Sequence, residues 1–256
     1  MAINNPRTGL AINEPIVFSP RSTQASYPYR SGMGMVPSAE WHVFFDDFDK
    51  SVTSNLPLGW TAAIIDTGAT TVVDTTATAG ATGVMLMSDA TASEGAAFYG
   101  PKSVQLISGK KFMMECRVKL SDVTDHAFQF GLSDLTAVTN PEDIWTTAAA
   151  NLVTFGILDG AATTSMLADK SNSGSTAETG TSSLVVDTWH TLAIFYDGGS
   201  SLKGYVDGKL SSTWAQTFAS TVPLATALAP FVGTLNGNGA GANTCQVDFV
   251  RIVQER

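Results

Sequence analysis

The stretch KKFMMECRVKL, from Lys110 to Leu120, decides the fold. Taken alternately, Phe112, Met114, Cys116, Val118 and Leu120 share one side, and Lys111, Met113, Glu115, Arg117 and Lys119 share the other. Successive side chains of a strand point to opposite faces, so this alternation predicts a half-buried antiparallel strand. Similar short runs follow it. HAFQFGL begins at His126, NLVTFGIL spans Asn151 to Leu158, and HTLAIFYD spans His190 to Asp197 before Gly198-Gly199. Tyr205 and Val206 lead into Asp207-Gly208, a two-residue hairpin signal. CQVDFVRIV, from Cys245 to Val253, reads as a closing strand. Long helical periodicity is absent. The exception is 141–152, where Pro141 can open a short helix. The polar or Gly-rich segments 170–183 and 234–243 are expected as loops. Many short strands with Gly-rich turns predict an all-β, two-sheet antiparallel sandwich of the jelly-roll kind.

Composition narrows the partners. Charged residues are 14% of the 256, against roughly 25% in an average domain. Thr, Ser, Gly and Asn supply the missing polarity. The net charge of −9 excludes a general nucleic-acid binder, which needs a basic face. No basic start followed by an apolar run marks a secretion signal. No stretch reaches the roughly 18 apolar residues of a membrane span, so neither secretion nor membrane insertion is expected. Cys116 and Cys245 lie in strand-like segments and read as buried free thiols, with a bridge between them left open.

Residues 1–40 differ from the rest. They hold five of the ten prolines, at 6, 15, 20, 28 and 37, and proline suits neither helix nor central strand. Three arginines against Glu14 and Glu40 give the segment one net positive charge, leaving −10 on the remainder. With Phe18, Tyr27 and Tyr29 it is too apolar for a plain solvated tail. Two organisational units are expected: an extended arm over 1–40 and one jelly roll over 41–256. The arm either packs on its own domain or orders on a neighbouring subunit.

DTWHTLAIFYDGGSSLKGYVDGKL, from Asp187 to Leu210, resembles the central hairpin of laminin-G-like and other concanavalin A-like domains. CQVDFVRIVQ resembles the closing strand of family 16 glycoside hydrolases. FFDDFDK from Phe44 and LPLGWTA from Leu56 resemble the opening strand of the same superfamily. The resemblance implies a concanavalin A-like sandwich, with Trp189 filling volume between the sheets and Asp207-Gly208 supplying the positive φ of a tight turn. Family 16 hydrolases carry a Glu-x-Asp-x-x-Glu strand, because hydrolysis needs paired carboxylates flanking the sugar bond. Here HAFQFGL and NLVTFGIL, the strands in question, are apolar, and Glu115 has no partner at that spacing. The chain is therefore expected not to be an enzyme. The resemblance also implies a structural calcium shared between the opening strand, at Asp47 among Asp46 and Asp49, and Asp248 of the closing strand. The competing reading is simply solvated carboxylates.

The chain further resembles phage-encoded laminin-G-like proteins in style. That resemblance implies a virion protein, a decoration (cement) protein on the capsid surface of a tailed phage. Its partners would be the major capsid protein and further copies of itself, as a trimer, with arm contacts from Arg7, Arg21, Arg30, Phe18, Tyr27 and Tyr29. Two other functions stay open. One is a carbohydrate-binding module or phage receptor-binding domain, with Trp145 and Trp214 as sugar platforms near loops. The other is a divergent glycosidase.

Overall fold

The computed structural model describes residues 41–46, 48, 59–65, 70–73, 83–134, 151–171, 176–215, 218–237 and 241–256. The arm at 1–40, Asp47, Asp49, the expected helix at 141–150 and Trp145 lie outside them. The elements used below are β1 (Trp41–Asp46), β2 (Thr61–Ile65), β3 (Thr70–Val73), β4 (Met85–Asp89), β5 (Gly95–Tyr99), β6 (Phe112–Leu120), β7 (His126–Ser133) and β8 (Asn151–Ile157). There follow β9 (Thr164–Lys170), β10 (Thr176–Thr179), β11 (His190–Tyr196), β12 (Leu202–Val206), β13 (Lys209–Thr213), the one-turn helix α1 (Phe218–Thr221), β14 (Ala229–Asn236) and β15 (Asn243–Glu255).

The strands form two antiparallel sheets. One runs β13-β12-β11-β6-β15-β4-β3, with β1 also paired to β15, and the other runs β10-β9-β8-β7-β14-β5-β2. The alternation of 112–120 is realised in β6, which lies between β11 and β15. Its even-numbered side chains enter the shared core with Phe98, Phe128, Phe130, Phe155, Tyr196 and Ile252. Gly204 of β12 faces the same core, and a Cβ there would sit 2.5 Å from the Phe155 ring. The Asp207-Gly208 turn has φ of 50° and 77° and joins β12 to β13, as the hairpin signal predicts.

The closing strand is less regular than its sequence implies. Between Val247 and Phe249 the β6–β15 register shifts. Asp248 is the extra residue of a β-bulge, which changes the side-chain phase of the strand. Cys245 and Val247 face the core before it, and Val250 and Ile252 after it. On the edge away from β6, β15 pairs with β4 over its first half and with β1 over its second.

Several local expectations are corrected. Segment 170–183 contains β10, which pairs with β9. Segment 234–243 is strand at both ends, with β14 running to Asn236 and β15 starting at Asn243. Residues 151–152 open β8. Both cysteines are free and buried, and burial pushes both thiols well above their ordinary range.

Candidate functional site

Both sheets place distinctive side chains on their outer faces. On the eight-stranded sheet, β6 directs Met113, Glu115, Arg117 and Lys119 outward, and this face has two unlike halves. In the first, Met113, Ala193, Tyr205 and Val253 form an apolar cluster joined by Val43 and Phe195. Phe45 of β1 lies 5.8 Å, ring to ring, from Phe249. Beside them Arg251 donates to the Glu115 carboxylate, and both are buried. Burial also pushes the Tyr205 phenol up. This corrects the half-buried reading of β6: Met113 and Glu115 are as inaccessible as the core side of the strand. Period-2 alternation shows which side chains share a face but not whether that face is covered.

The second half of the face is more open. Arg117 bonds Asp248 at 2.6 Å. The Arg117 guanidinium and the Lys119 ammonium lie 4.9 and 5.4 Å from the centre of the Trp189 ring, within cation–π range. Trp189 is thus a half-buried outer-face residue, which corrects its expected place between the sheets. Val185 and Val186, shortly before it in the chain, are exposed. His190, next along, faces inward. Its Nε2 accepts from the Val185 N–H at 2.9 Å, which leaves Nδ1 to donate to Asp207 Oδ2 at 2.7 Å. The hairpin signature is therefore a clamp that ties loop, strand and turn together.

On the outer face of the seven-stranded sheet, Gln129 stands among small neighbours, with Gly233 and Gly156 as its register partners. Its Nε2 donates to the Ile157 carbonyl at 3.3 Å, and its Oε1 accepts from Thr154 Oγ1 at 2.7 Å. Both residues are buried. β7 and β8, where a carboxylate pair would be sought, present an amide and a hydroxyl here.

A third group lies between the sheets. Asp89, His126, Thr234 and Asn236 point inward from β4, β7 and β14 and are at most 1% exposed. His126 Nε2 lies 3.3 Å from Asp89 Oδ2 and also contacts Thr234 Oγ1, which donates to the Ala127 carbonyl at 3.1 Å. Burial raises the Asp89 carboxyl, against the opposing hydrogen bond and charge of His126. The set resembles a nucleophile–base–acid array in type, but it is closed to substrate and reads as an inter-sheet polar tie.

Of the residues the sequence singles out, Trp214 is 4% exposed and donates its Nε1–H to Thr221 Oγ1 at 3.2 Å. It belongs to the core, and its assignment as a sugar platform is corrected. Being near a strand end did not keep it out of the interior. Trp60 is also core, with its Nε1–H on Asp46 Oδ2 at 2.8 Å. Asp46 is further engaged by the Phe48 N–H. Asp248 is engaged by Arg117. Among the described residues no cluster of three or more His, Cys, Asp or Glu side chains could hold a metal. Arg7, Arg21, Arg30, Phe18, Tyr27, Tyr29, Trp145 and Asp47 lie outside the described residues. The sequence reading misplaced Trp189, since nothing next to it in the chain announces Arg117 and Lys119, which the fold brings to its ring.

The two-sheet architecture defines a lectin- and glucanase-type sandwich. Residues 105–255 match the family model described as the Concanavalin A-like lectin/glucanases superfamily, and the chain belongs to that family. Solved structures agree in fold. The carbohydrate recognition domain of Emp47p superposes with a TM-score of 0.55 at 11% identity, covering 84% of this chain and 97% of that one. The β-glucanase of Bacillus licheniformis gives 0.53 at 18%, over 82% and 97%. The laminarinase catalytic domain of Thermotoga petrophila gives 0.52 at 13%, over 85% and 99%. No curated protein sequence matches. The glucanases correct the expectation that the chain is not an enzyme: its fold is shared by glucanases, at 13–18% identity.

Proposed function

We propose that the chain is a virion decoration protein: a jelly roll that attaches to the head shell of a tailed phage through residues 1–40 and through neighbouring copies, as a trimer on the capsid surface. The observation that carries this reading is the contrast within the chain: residues 1–40 are proline-rich, aromatic and slightly basic, while the rest is acidic and forms the jelly roll. Many weak contacts in a closed oligomer would add by avidity. The partner would be the major capsid protein.

The test is co-sedimentation of purified protein with expanded capsids, alongside its oligomeric state by light scattering. Saturable binding, lost when residues 1–40 are deleted, is expected. Binding unaffected by that deletion, or a monomer that ignores capsids, overturns the reading.

A second reading, a glycan-binding module, is favoured by Trp189, an indole at the surface between Arg117 and Lys119. It predicts selective signals on a glycan array that disappear in Trp189→Ala. Turnover of laminarin or another β-glucan would favour a glycosidase over both.

A further inference from the structure

We infer that the open half of the outer face of the eight-stranded sheet, at Trp189, Lys119 and Arg117, binds a sugar acid: a saccharide whose bound ring carries one carboxylate. This rests on the glycan-binding reading and names its ligand class. It is independent of the capsid role.

The strip is open. Thr191 of β11, Arg117 and Lys119 of β6 and Gln246 of β15 point outward and are only partly buried, as is Trp189. Met113 and Glu115, further back along β6, are closed off. Register sets Thr191 beside Arg117 and Lys119 beside Gln246. From β11 across β6 to β15 is two strand spacings, about 10 Å, so a sugar ring can lie flat on the strip.

Its chemistry is mixed in the way a sugar needs. The indole offers a rigid apolar surface with a polar edge. A hydroxyl at Thr191 and an amide at Gln246 can each donate to and accept from sugar hydroxyls.

Charge then selects among sugars. The chain carries −9 overall, yet Arg117 and Lys119 against Asp248 leave the strip one net positive charge. Arg117 is already committed. Asp248, the bulge residue, holds its guanidinium at 2.6 Å, and a bulge is a means of re-aiming a side chain. Among the described residues, Lys119 makes no ion pair. Its ammonium, 5.4 Å from the centre of the indole, is the cation left over beside the ring, and one carboxylate balances it. A sugar bearing several sulfates would instead bring excess negative charge against Asp248.

Calorimetric titration of the full-length protein tests this with paired ligands. Sialyllactose is compared with lactose, and polygalacturonate with its methyl ester, which removes the charge and keeps the ring. The acidic member of at least one pair should bind at least ~10-fold more tightly than its neutral partner, the factor a hydrogen bond to a charged group supplies. Lys119→Gln should erase that preference, and Trp189→Ala should abolish binding. If Trp189→Ala does not fold, Lys119→Gln decides alone. Lys102→Gln, which removes an exposed cation outside the strip, should leave affinity unchanged. An equal loss in Lys102→Gln and Lys119→Gln overturns the site, because bulk charge would then explain the preference. Tighter binding of dextran sulfate than of either sugar acid also overturns it. Equal affinity within both pairs, abolished by Trp189→Ala, overturns the sugar acid and leaves the glycan-binding reading standing. Binding to neither pair overturns the sugar acid as well, and a blank glycan array would then remove the glycan-binding reading with it.

Discussion

His190 donates from Nδ1 to the Asp207 carboxylate across 2.7 Å, linking the first residue of β11 to the turn between β12 and β13. Because Val185 N–H occupies Nε2, the ring holds one tautomer, and both nitrogens are satisfied in a mostly buried position. His190→Ala strands the Val185 N–H and should cost about 1–3 kcal/mol. His190→Asn, which can satisfy only one of the two partners, should fall between. Denaturant midpoints of the three proteins check this ordering.

Asp207 itself gives an acid-side signature. Burial alone would raise its carboxyl, but the His190 hydrogen bond, the Thr191 N–H and the Lys209 charge outweigh burial and hold it below the ordinary range. A depressed folded value means stability is present above the unfolded value, about 3.9, and is lost as pH falls through the folded one. The side chain is half exposed, so the effect is small. The melting temperature of Asp207→Asn relative to wild type should become more negative as pH rises from about 2 to 4, then stay level.

Asp89 has the opposite sign. Burial raises its carboxyl despite His126, so the folded state holds this proton more tightly than the unfolded chain. Its contribution falls as pH rises above about 3.9. The melting temperature of Asp89→Asn relative to wild type should therefore improve as pH rises above about 4. A difference that is flat in pH would assign the tie to packing alone.

Arg251 and Glu115 form a buried pair on the outer face. Arg251→Met alone leaves a buried carboxylate and should cost about 3–5 kcal/mol. Adding Glu115→Leu should restore most of that. Urea unfolding of both single variants and the double gives the coupling directly.

The tryptophans separate core from surface. Trp214→Ala should cost about 3–5 kcal/mol. Trp189→Ala loses mainly its contacts with Arg117 and Lys119, about 1 kcal/mol. Unfolding midpoints that rank them in reverse would move Trp189 inward.

The sandwich was legible because β6, β7, β8, β11 and β15 carry their own signals, alternation or a short apolar run bounded by glycine. The hairpin was legible because Asp207-Gly208 has few other uses. Other features depend on tertiary context. The bulge at Asp248 shows only as a broken phase between Val247 and Val250, which a loop would also produce. β10 is polar, and pairing with β9 makes it a strand. Trp189 and Trp214 look alike in sequence, and only the sheet register puts one outside and the other in. Burial of Met113 and Glu115 was hidden because alternation cannot report what lies on top of a sheet.

β15 borders β6 on one edge and both β4 and β1 on the other, so the eight-stranded sheet closes only once residues 243–255 are in place. Trp41 finds its partner at Glu255, across nearly the whole described chain. A nascent chain thus spends most of its synthesis with β6, β4 and β1 unzipped from one another. Such long-range closure is slow and exposes hydrogen-bonding edges while it waits. Production of this protein should therefore be limited by the time its half-made sheet spends near other copies, and should improve at low temperature and low synthesis rate.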